Sequence, residues 1–221
     1  EKYPEKINKI SYEEMLEMAS LGAKVMQPAS IQEARLNRIE IDVRSTFSNT
    51  TGTTITKKKN IISNNTIRGI SFTKNDAKLT LIGVKDKPGI AASIFKPLYE
   101  NSINVDMVVQ NVSAGGKETD LTFTIKLEDL KKTEKLVKNN KYINYNKLII
   151  NKNVSKVSIV GVGMITTPGI TYRMFKALAK KKINIEVIST SEIKISVLID
   201  KKNLKKSVEI LHQEFKLNSS L

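Results

Sequence analysis

The sequence predicts an α+β protein made of two copies of one β-α-β-β-α-β module, with a small αβ segment ahead of them. In each copy an apolar run that ends in Gly-Val, residues 79–84 or 157–162, leads into a Pro-Gly turn and an amphipathic helix. The matched positions of the two copies lie 80 residues apart: Pro88-Gly89-Ile90 with Pro168-Gly169-Ile170, Phe95 with Phe175, Leu98 with Leu178, and Ile103-Asn104-Val105 with Ile183-Asn184-Ile185.

Length and composition are typical of a globular chain. The 221 residues suit one or two domains, and 40% hydrophobic residues suffice for packed cores. No apolar run approaches the ~18 residues that would span a bilayer, and the polar start has no signal-peptide pattern, so we expect a cytoplasmic protein with no membrane partner. The absence of cysteine and the single histidine, His212, exclude disulfides and a zinc cluster. We therefore expect no metal site, and we interpret His212 as a surface residue.

The net charge of +15 raises the question of a nucleic-acid partner, because 37 Lys and Arg residues face 22 Asp and Glu residues. Most of the excess is Lys, spread over exposed faces of predicted helices, as at 131–138 and 180–182. Such charge runs are typical of a solvated surface. We therefore predict no nucleic-acid partner.

The first segment, residues 1–56, should contain two helices and a strand. Ser11 to Leu21 is predicted as a helix, with Ser11 as N-cap and Glu14 at the capping-box spacing. Ile31 to Asn37 should form a second helix, and the alternation in Ile39 to Phe47 predicts a strand. The following Ser48 to Thr54 reads as a plain turn, because it lacks the Gly and Lys spacing of a phosphate loop. We expect that this segment cannot close a core of its own, and that residues 57–65, rich in Lys and Asn, form a linker.

The first module, residues 78–152, should follow the ferredoxin-like order. The predicted elements are strand 79–84, helix 89–101, strand 104–111, a turn at Gly115-Gly116, strand 121–127, helix 128–139 and strand 147–150. In the helix, Ile90, Ile94 and Leu98 share one face, which should pack on the sheet. In strand 104–111 the alternation predicts Val105, Met107 and Val109 facing inward.

The second module repeats the order but lacks a sixth element before the chain ends. Its predicted elements are strand 156–162, helix 169–181, strands 184–189 and 193–199, and helix 201–214. The strand-like Thr66 to Phe72 could cross over to fill the vacancy, so that the second module comprises 66–77 and 153–221 and the first is inserted in it. A short terminal strand at Phe215 to Leu217 is the alternative, and connection rules do not decide between them.

These residues resemble the closing part of aspartate kinase, an amino-acid-kinase domain followed by two regulatory ACT domains. The stretches that carry the resemblance are Ser11–Met15, Leu21–Val25, Val43–Phe47, Leu81–Ala91, Asn104–Ser113 and Ile183–Ile193. Two departures stand out: Gln27-Pro28 replaces the family's usual His-Pro, and the Lys-Phe-Gly-Gly opening of the kinase is missing. The chain is therefore expected to be a C-terminal fragment.

The resemblance implies that the full enzyme uses ATP and Mg²⁺ to phosphorylate the β-carboxylate of aspartate, the first step toward lysine, threonine and methionine. Phosphoryl transfer needs nucleotide, metal and acceptor positioned together, and most of those residues lie outside this chain. We therefore expect no catalytic residue and no cofactor here. By the same resemblance, Lys24 and Val25 line one wall of the nucleotide pocket; a surface lysine at the entry of a strand is the alternative.

A free amino acid presents a carboxylate and an ammonium group, and the first Pro-Gly turn offers partners for both. Backbone N–H groups of Gly89, Ile90 and Ala91 open a helix and can bind the carboxylate, while Asp86 can bind the ammonium. Gln110 and Asn111 provide further donors and acceptors. A Pro-Gly turn alone is often only a helix start. Its recurrence and the resemblance favour an effector site, to which the resemblance adds Val105 and Asp106.

In the second module Thr166-Thr167 replaces Asp86-Lys87, so we expect a degenerate pocket there. The resemblance implies instead that Asn184, Ile185, Ser191 and Glu192 complete the first module's site across an interface between chains, in a homodimer formed through the ACT domains. Ordinary packing of these four residues is the alternative.

The leading hypothesis is thus the regulatory part of an aspartate kinase, which binds lysine and/or threonine and acts on the N-terminal kinase domain of the same protein. A free-standing ACT regulatory subunit is one alternative, although such subunits begin well after Glu1. An RNA-binding module of the same strand order is another. It is disfavoured because only 5% of residues are aromatic, and Phe123 stands alone on the predicted strands.

Overall fold

The computed structural model describes residues 4–61, 65–112, 116 and 118–218. Within these ranges the chain forms a three-stranded sheet in the first segment and a six-stranded sheet shared by the two modules. The α+β class and the two ferredoxin-like modules predicted from the sequence are confirmed. Of the predicted linker, residues 62–64 lie outside the described residues, as does Gly115 of the predicted turn.

The first segment buries a small core of its own, contrary to the sequence expectation. Its elements are β1 (Lys9–Ser11), α1 (Tyr12–Ser20), α2 (Pro28–Leu36), β2 (Ile41–Val43) and β3 (Thr53–Thr56). The buried cluster comprises Ile10, Tyr12, Met15, Ile31, Ala34 and Ile55. It closes because β3, which the sequence analysis missed, pairs in parallel with β1 and antiparallel with β2.

The predicted capping box at the start of α1 is confirmed. The Ser11 hydroxyl accepts the Glu14 N–H at 3.2 Å, and the Glu14 carboxylate accepts the Ser11 N–H at 3.2 Å. Helix α2 begins at Pro28, three residues before the predicted start, because proline favours the first turn of a helix. The strand predicted over 39–47 is shorter than expected.

Two long strands run through both modules. Strand β4 (Gly69–Lys85) has 17 residues and β7 (Lys147–Val160) has 14, and they pair antiparallel along most of their length. The order of the six-stranded sheet is β5-β6-β4-β7-β9-β8. The strands predicted separately at 66–72 and 79–84 are therefore one strand, and so are those at 147–150 and 156–162.

The first module adds α3 (Ile90–Glu100), β5 (Val105–Val112), β6 (Glu118–Lys126) and α4 (Leu130–Lys138). The predicted stripe is confirmed, since Ile90, Ile94 and Leu98 are buried in one cluster with Leu79 and Phe123 of the sheet.

The second module adds α5 (Ile170–Lys180), β8 (Ile185–Thr190), β9 (Lys194–Asp200) and α6 (Leu204–Glu214). Residues Gly69–Thr73 of β4 pair with Lys156–Val160 of β7, so the crossing strand fills the vacant place. The alternative strand at Phe215 to Leu217 does not form; both residues pack in the second module's core instead. Beyond them, Asn218 forms an isolated β-bridge with Pro4.

One prediction about β5 was wrong. Val105 packs toward the helices of its own module, but Met107 and Val109 contact a different cluster, which contains Val187 and Leu198 of the second module. The cause is a register shift between Asp106 and Val109, where Met107 has φ +46°. An extra residue in a strand reverses the alternation of faces beyond it.

Candidate effector site

The two Pro-Gly turns have the same backbone geometry. Gly89 and Gly169 are the N-caps of α3 and α5, with φ of +86° and +88°. A Cβ at either position would meet nothing within 4 Å, so each glycine is required by its backbone conformation and not by crowding. Each turn is therefore uncovered at its glycine.

The amides of the first turn are not all available to a ligand. The Ile90 N–H donates to the Lys87 carbonyl at 3.1 Å, and would have to give up that hydrogen bond to bind a carboxylate. The amides of Gly89 and Ala91 remain the simpler donors. The Asp86 side chain is exposed, and among the described residues it has no hydrogen-bond or ion-pair partner. A negative charge thus stands free beside a helix N-terminus.

Gln110 and Asn111 lie at the same edge of the sheet as this turn. Asn111 pairs with Asp120, while Thr119 pairs with both Val112 and Val84, the residue two before Asp86. Strands β5 and β4 are separated only by β6, about 10 Å at ordinary strand spacing. The structure therefore brings Asp86, Gly89, Ala91, Gln110 and Asn111 to one end of the module.

Val105 and Asp106 lie at the other end of the same sheet. Val105 pairs with Ile125, which pairs with Ala77, seven residues before Val84 along β4 and so about 23 Å away. Asp106 forms an ion pair with Lys156 of the second module. Desolvation acts to raise the pKa of Asp106, but the hydrogen bond and charge of Lys156 lower it overall. Within one chain these two residues do not join the cluster around Gly89.

The four residues expected from the second module all stay with that module. Ser191 and Glu192 lie in the β8–β9 turn and line a cleft of about 480 Å³ with Pro168 and Gly169. They also border a cleft of about 670 Å³ against the first segment. Asn184 is exposed just before β8, and Ile185 begins that strand half-buried. These residues are at least partly exposed, so a second chain could contact them. Their role across an interface between chains stays a prediction.

Sequence reasoning missed Asp120, which shapes the backbone ahead of the turn. Its carboxylate accepts the Gly83 N–H at 2.9 Å, where β4 has a register shift and Gly83 has φ +67°. A Cβ at Gly83 would lie 2.0 Å from the Asn146 side chain. The Gly-Val ending of the apolar run was the available signal, because glycine inside a strand often marks a bulge.

Lys24 and Val25 lie in the turn between α1 and α2, where Val25 is 64% exposed. Lys24 borders a cleft of about 780 Å³ together with Phe72, Lys74 and Lys126. His212 is half-buried, which departs from the expected surface position, and desolvation lowers its pKa although a hydrogen bond with Asn218 opposes the shift.

Among the described residues, no group of three or more His, Cys, Asp or Glu side chains could hold a metal ion. No helix in the described part of the chain has the length and apolar character needed to cross a bilayer.

Comparisons with known proteins agree on one family. The ACT domain family model matches residues 79–140 and 157–215. Aspartate kinase of Pseudomonas fluorescens (strain SBW25) is 43% identical over 217 residues, covering 97% of this chain and 52% of that protein. The aspartokinase of Helicobacter pylori (strain 26695) is 43% identical over 222 residues, covering 99% of this chain and 54% of that protein. The chain thus spans about half the length of the curated relatives that it matches.

Solved structures give the same picture. The regulatory subunit of aspartate kinase from Thermus thermophilus, in a ligand-free form, superposes with a TM-score of 0.63 at 36% identity and covers 68% of this chain and 99% of that one. Aspartate kinase from Clostridium acetobutylicum superposes with a TM-score of 0.85 at 25% identity, covering 96% of this chain and 49% of that one.

Proposed function

Because this chain belongs to the aspartokinase family and carries its two ACT domains, we propose that it is the regulatory part of an aspartate kinase and binds an end-product amino acid, lysine and/or threonine. The observation that carries the proposal is the unpartnered Asp86 carboxylate beside the open N-terminus of α3. The domains we propose are 1–56 for the end of the kinase domain, 57–65 for the linker, 78–152 for the first ACT domain, and 66–77 with 153–221 for the second.

An α-amino acid fits the charges of this end of the first module. Its carboxylate would accept hydrogen bonds from the Gly89 and Ala91 amides, where the helix dipole favours negative charge. Its ammonium would pair with Asp86. The exposed Gln110 and Asn111 side chains can both donate and accept, which suits the polar end of a lysine or threonine side chain.

The second module lacks this pair of charges, because Thr166 and Thr167 stand where the first has Asp86 and Lys87. We propose that its own pocket has lost amino-acid binding. Instead Asn184, Ile185, Ser191 and Glu192 of one copy would complete the first module's site of the other copy across a homodimer interface. Val105 and Asp106, at the far end of that module's sheet, would lie outside the site.

For the whole protein, the proposed activity is ATP- and Mg²⁺-dependent phosphorylation of the β-carboxylate of aspartate. Lys24 and Val25 would form one wall of the nucleotide pocket, and their exposure here is consistent with a surface that another part of the protein covers. Effector binding to the ACT domains would shift the kinase toward an inactive arrangement, a coupling between two sites.

A free-standing regulatory subunit is the second candidate, favoured by the nearly complete coverage of the Thermus thermophilus subunit by this chain. The RNA-binding alternative loses the stacking side chain that the sequence suggested for it, since Phe123 is fully buried beneath the helices of the first module.

The direct test is calorimetric titration of the chain with L-lysine, L-threonine and both, with molar mass measured by light scattering in the same samples. We expect saturable binding by a dimer. Asp86→Ala and Gln110→Ala should each weaken binding at least about tenfold, because a hydrogen bond to a charged group contributes roughly 1.5–3 kcal/mol.

The control is Glu128→Ala, which removes an exposed carboxylate just beyond the opposite end of β6. It should bind as the unmodified chain does. Full binding by both Asp86→Ala and Gln110→Ala would place the amino acid elsewhere and refute this assignment.

A further inference from the structure

Two ion pairs join the modules across their junction. The Lys78 Nζ lies 2.5 Å from Glu186 Oε2, and the Lys156 Nζ contacts Asp106 Oδ2. In the first pair the lysine comes from the first module and the carboxylate from the second; in the other pair the roles are exchanged. The two contacts are therefore reciprocal.

Each copy of the module supplies one lysine and one carboxylate to these ion pairs. Lys78 and Lys156 both stand immediately before the apolar run of their module, in the stretches Lys78–Val84 and Lys156–Val162. Asp106 and Glu186 both follow the recurring Asn104-Val105 or Asn184-Ile185. Each carboxylate also lies at a register shift near the start of its strand. Equivalent positions of the two copies thus provide the lysines and the carboxylates of both ion pairs.

An apolar cluster lies at the same junction. Met107 and Val187, which occupy equivalent positions in the two modules, are buried in one cluster with Val154 and Leu198. The same register shifts that turn these two side chains toward the opposite module place the neighbouring carboxylates beside its lysines. Apolar contact supplies attraction without direction, so the charged groups are the directional side-chain contacts of this junction, in addition to the backbone pairing of β4 with β7.

Burial of the side chains makes these ion pairs costly to break. The Lys156 side chain is only 5% exposed, and those of Lys78 and Glu186 are each 19% exposed. The Asn151 side-chain amide adds a hydrogen bond of 3.2 Å to Glu186. A buried ammonium group is costly unless a carboxylate remains within reach. The Asp106 side chain is 57% exposed, so three of the four charges are largely out of water. A rotation of one module against the other would therefore have to separate a buried charge from its partner in each pair.

We infer that Lys78 and Lys156 are reciprocal positioning residues that fix the angle between the two ACT modules. Each lysine holds the start of the opposite module's second strand, where Val105 and Asn184-Ile185 lie. The consequence for ligand binding rests on the proposed function: the lysines would set the spacing of the surfaces that form the effector site.

The angle can be measured by pulsed electron spin resonance between two spin labels. The chain has no cysteine, so Lys131→Cys and Lys205→Cys provide unique exposed attachment points, one in each module. Labelled chain is diluted into an excess of unlabelled chain, so that distances within one chain dominate. The unmodified junction should give a single narrow distance distribution.

Lys78→Met and Lys156→Met should each broaden or shift that distribution, and the exchanged pair Lys78→Glu with Glu186→Lys should restore it. Methionine keeps the apolar contacts of the lysine stem, and the exchanged pair keeps both charges. The matched control is Lys138→Met, which breaks an ion pair with Glu134 inside one module and should leave the distances unchanged. Distributions that stay narrow and centred in both single variants would overturn the inference.

A second readout separates this inference from the proposed function. In calorimetry with L-lysine and L-threonine, each single variant should bind about tenfold more weakly, within the range of coupling energies between sites, and the exchanged pair should recover the affinity. If the unmodified chain binds neither amino acid, the proposed function fails for this chain. The spin-label distances would still show whether Lys78 and Lys156 fix the angle between the two modules.

Discussion

Glu14 connects the first segment to the second ACT module, and its removal gives a prediction with a definite size. The residue is 1% exposed. Its carboxylate accepts hydrogen bonds from the Ser11 N–H at 3.2 Å, the Ser11 hydroxyl at 2.8 Å and the Val162 N–H at 3.0 Å. The same side chain thus caps its own helix and binds the loop that leads from β7 to the second Pro-Gly turn.

Glu14→Ala leaves these donors without their acceptor. The bond from Val162 to a charged group contributes roughly 1.5–3 kcal/mol, and the helix cap contributes about 1 kcal/mol. Together they suggest a loss of about 3 kcal/mol, local to the contact between α1 and the second module. At 1.4 kcal/mol for each factor of ten, this corresponds to a roughly 100-fold larger open population.

Hydrogen–deuterium exchange measures that opening directly, in peptides covering α1 and residues 157–166. Glu17→Ala is the matched control on the same helix, because its ion pair with Lys194 is 3.1 Å long and both side chains are about one-quarter exposed. Such a pair contributes about 0.5 kcal/mol, or roughly a twofold change. Equal protection in the two variants would refute the view that Glu14 holds the segment in place.

Three further predictions concern stability. The lowered pKa of His212 means that the unfolded chain takes up a proton first, so stability should fall as pH drops through the ordinary value of 6.5. The NMR titration of this single histidine should give a pKa below 6.5, and a value above it would contradict the burial. In urea denaturation, Gly89→Ala should cost about 1 kcal/mol for its left-handed backbone alone, whereas Gly83→Ala should cost more because its Cβ also clashes. A smaller loss at Gly83 would reverse that order. Phe123→Ala should cost roughly 3–5 kcal/mol, since the ring is fully buried and meets Phe95 edge-on at 5.3 Å; a loss below about 1 kcal/mol would be incompatible with that packing.

The sequence was sufficient for the modules because their signals are long and occur twice. The α3 stripe, the Pro-Gly turns and the capping box at Ser11 each depend on local spacing, and each agrees with the structure. The insertion of the first module was one of two open alternatives, which only the pairing of Gly69–Thr73 with β7 resolved. Local spacing cannot show which distant strand fills a vacancy.

The failures share a physical cause. Strands β1 and β3 have three and four residues, too few for a clear alternation, and they are held by pairing with each other. The register shift at Met107 is set by contacts with the opposite module, so no pattern within β5 reveals it. The free carboxylate of Asp86 was foreseeable from its place before the turn. The hydrogen bond that occupies the Ile90 amide was not.

The pairing of β4 with β7 determines the order in which the two modules can fold during synthesis. The early half of β4 finds its partner on β7 only about 90 residues later, after the whole first module has been synthesised. Until then Gly69–Thr73 is an unpaired edge with apolar Ile70 and Phe72, a template for association with other chains. The second module cannot mature before the first is complete, and cutting the chain between residues 73 and 78 would leave it one strand short. The shared strands therefore make the two modules fold as one unit.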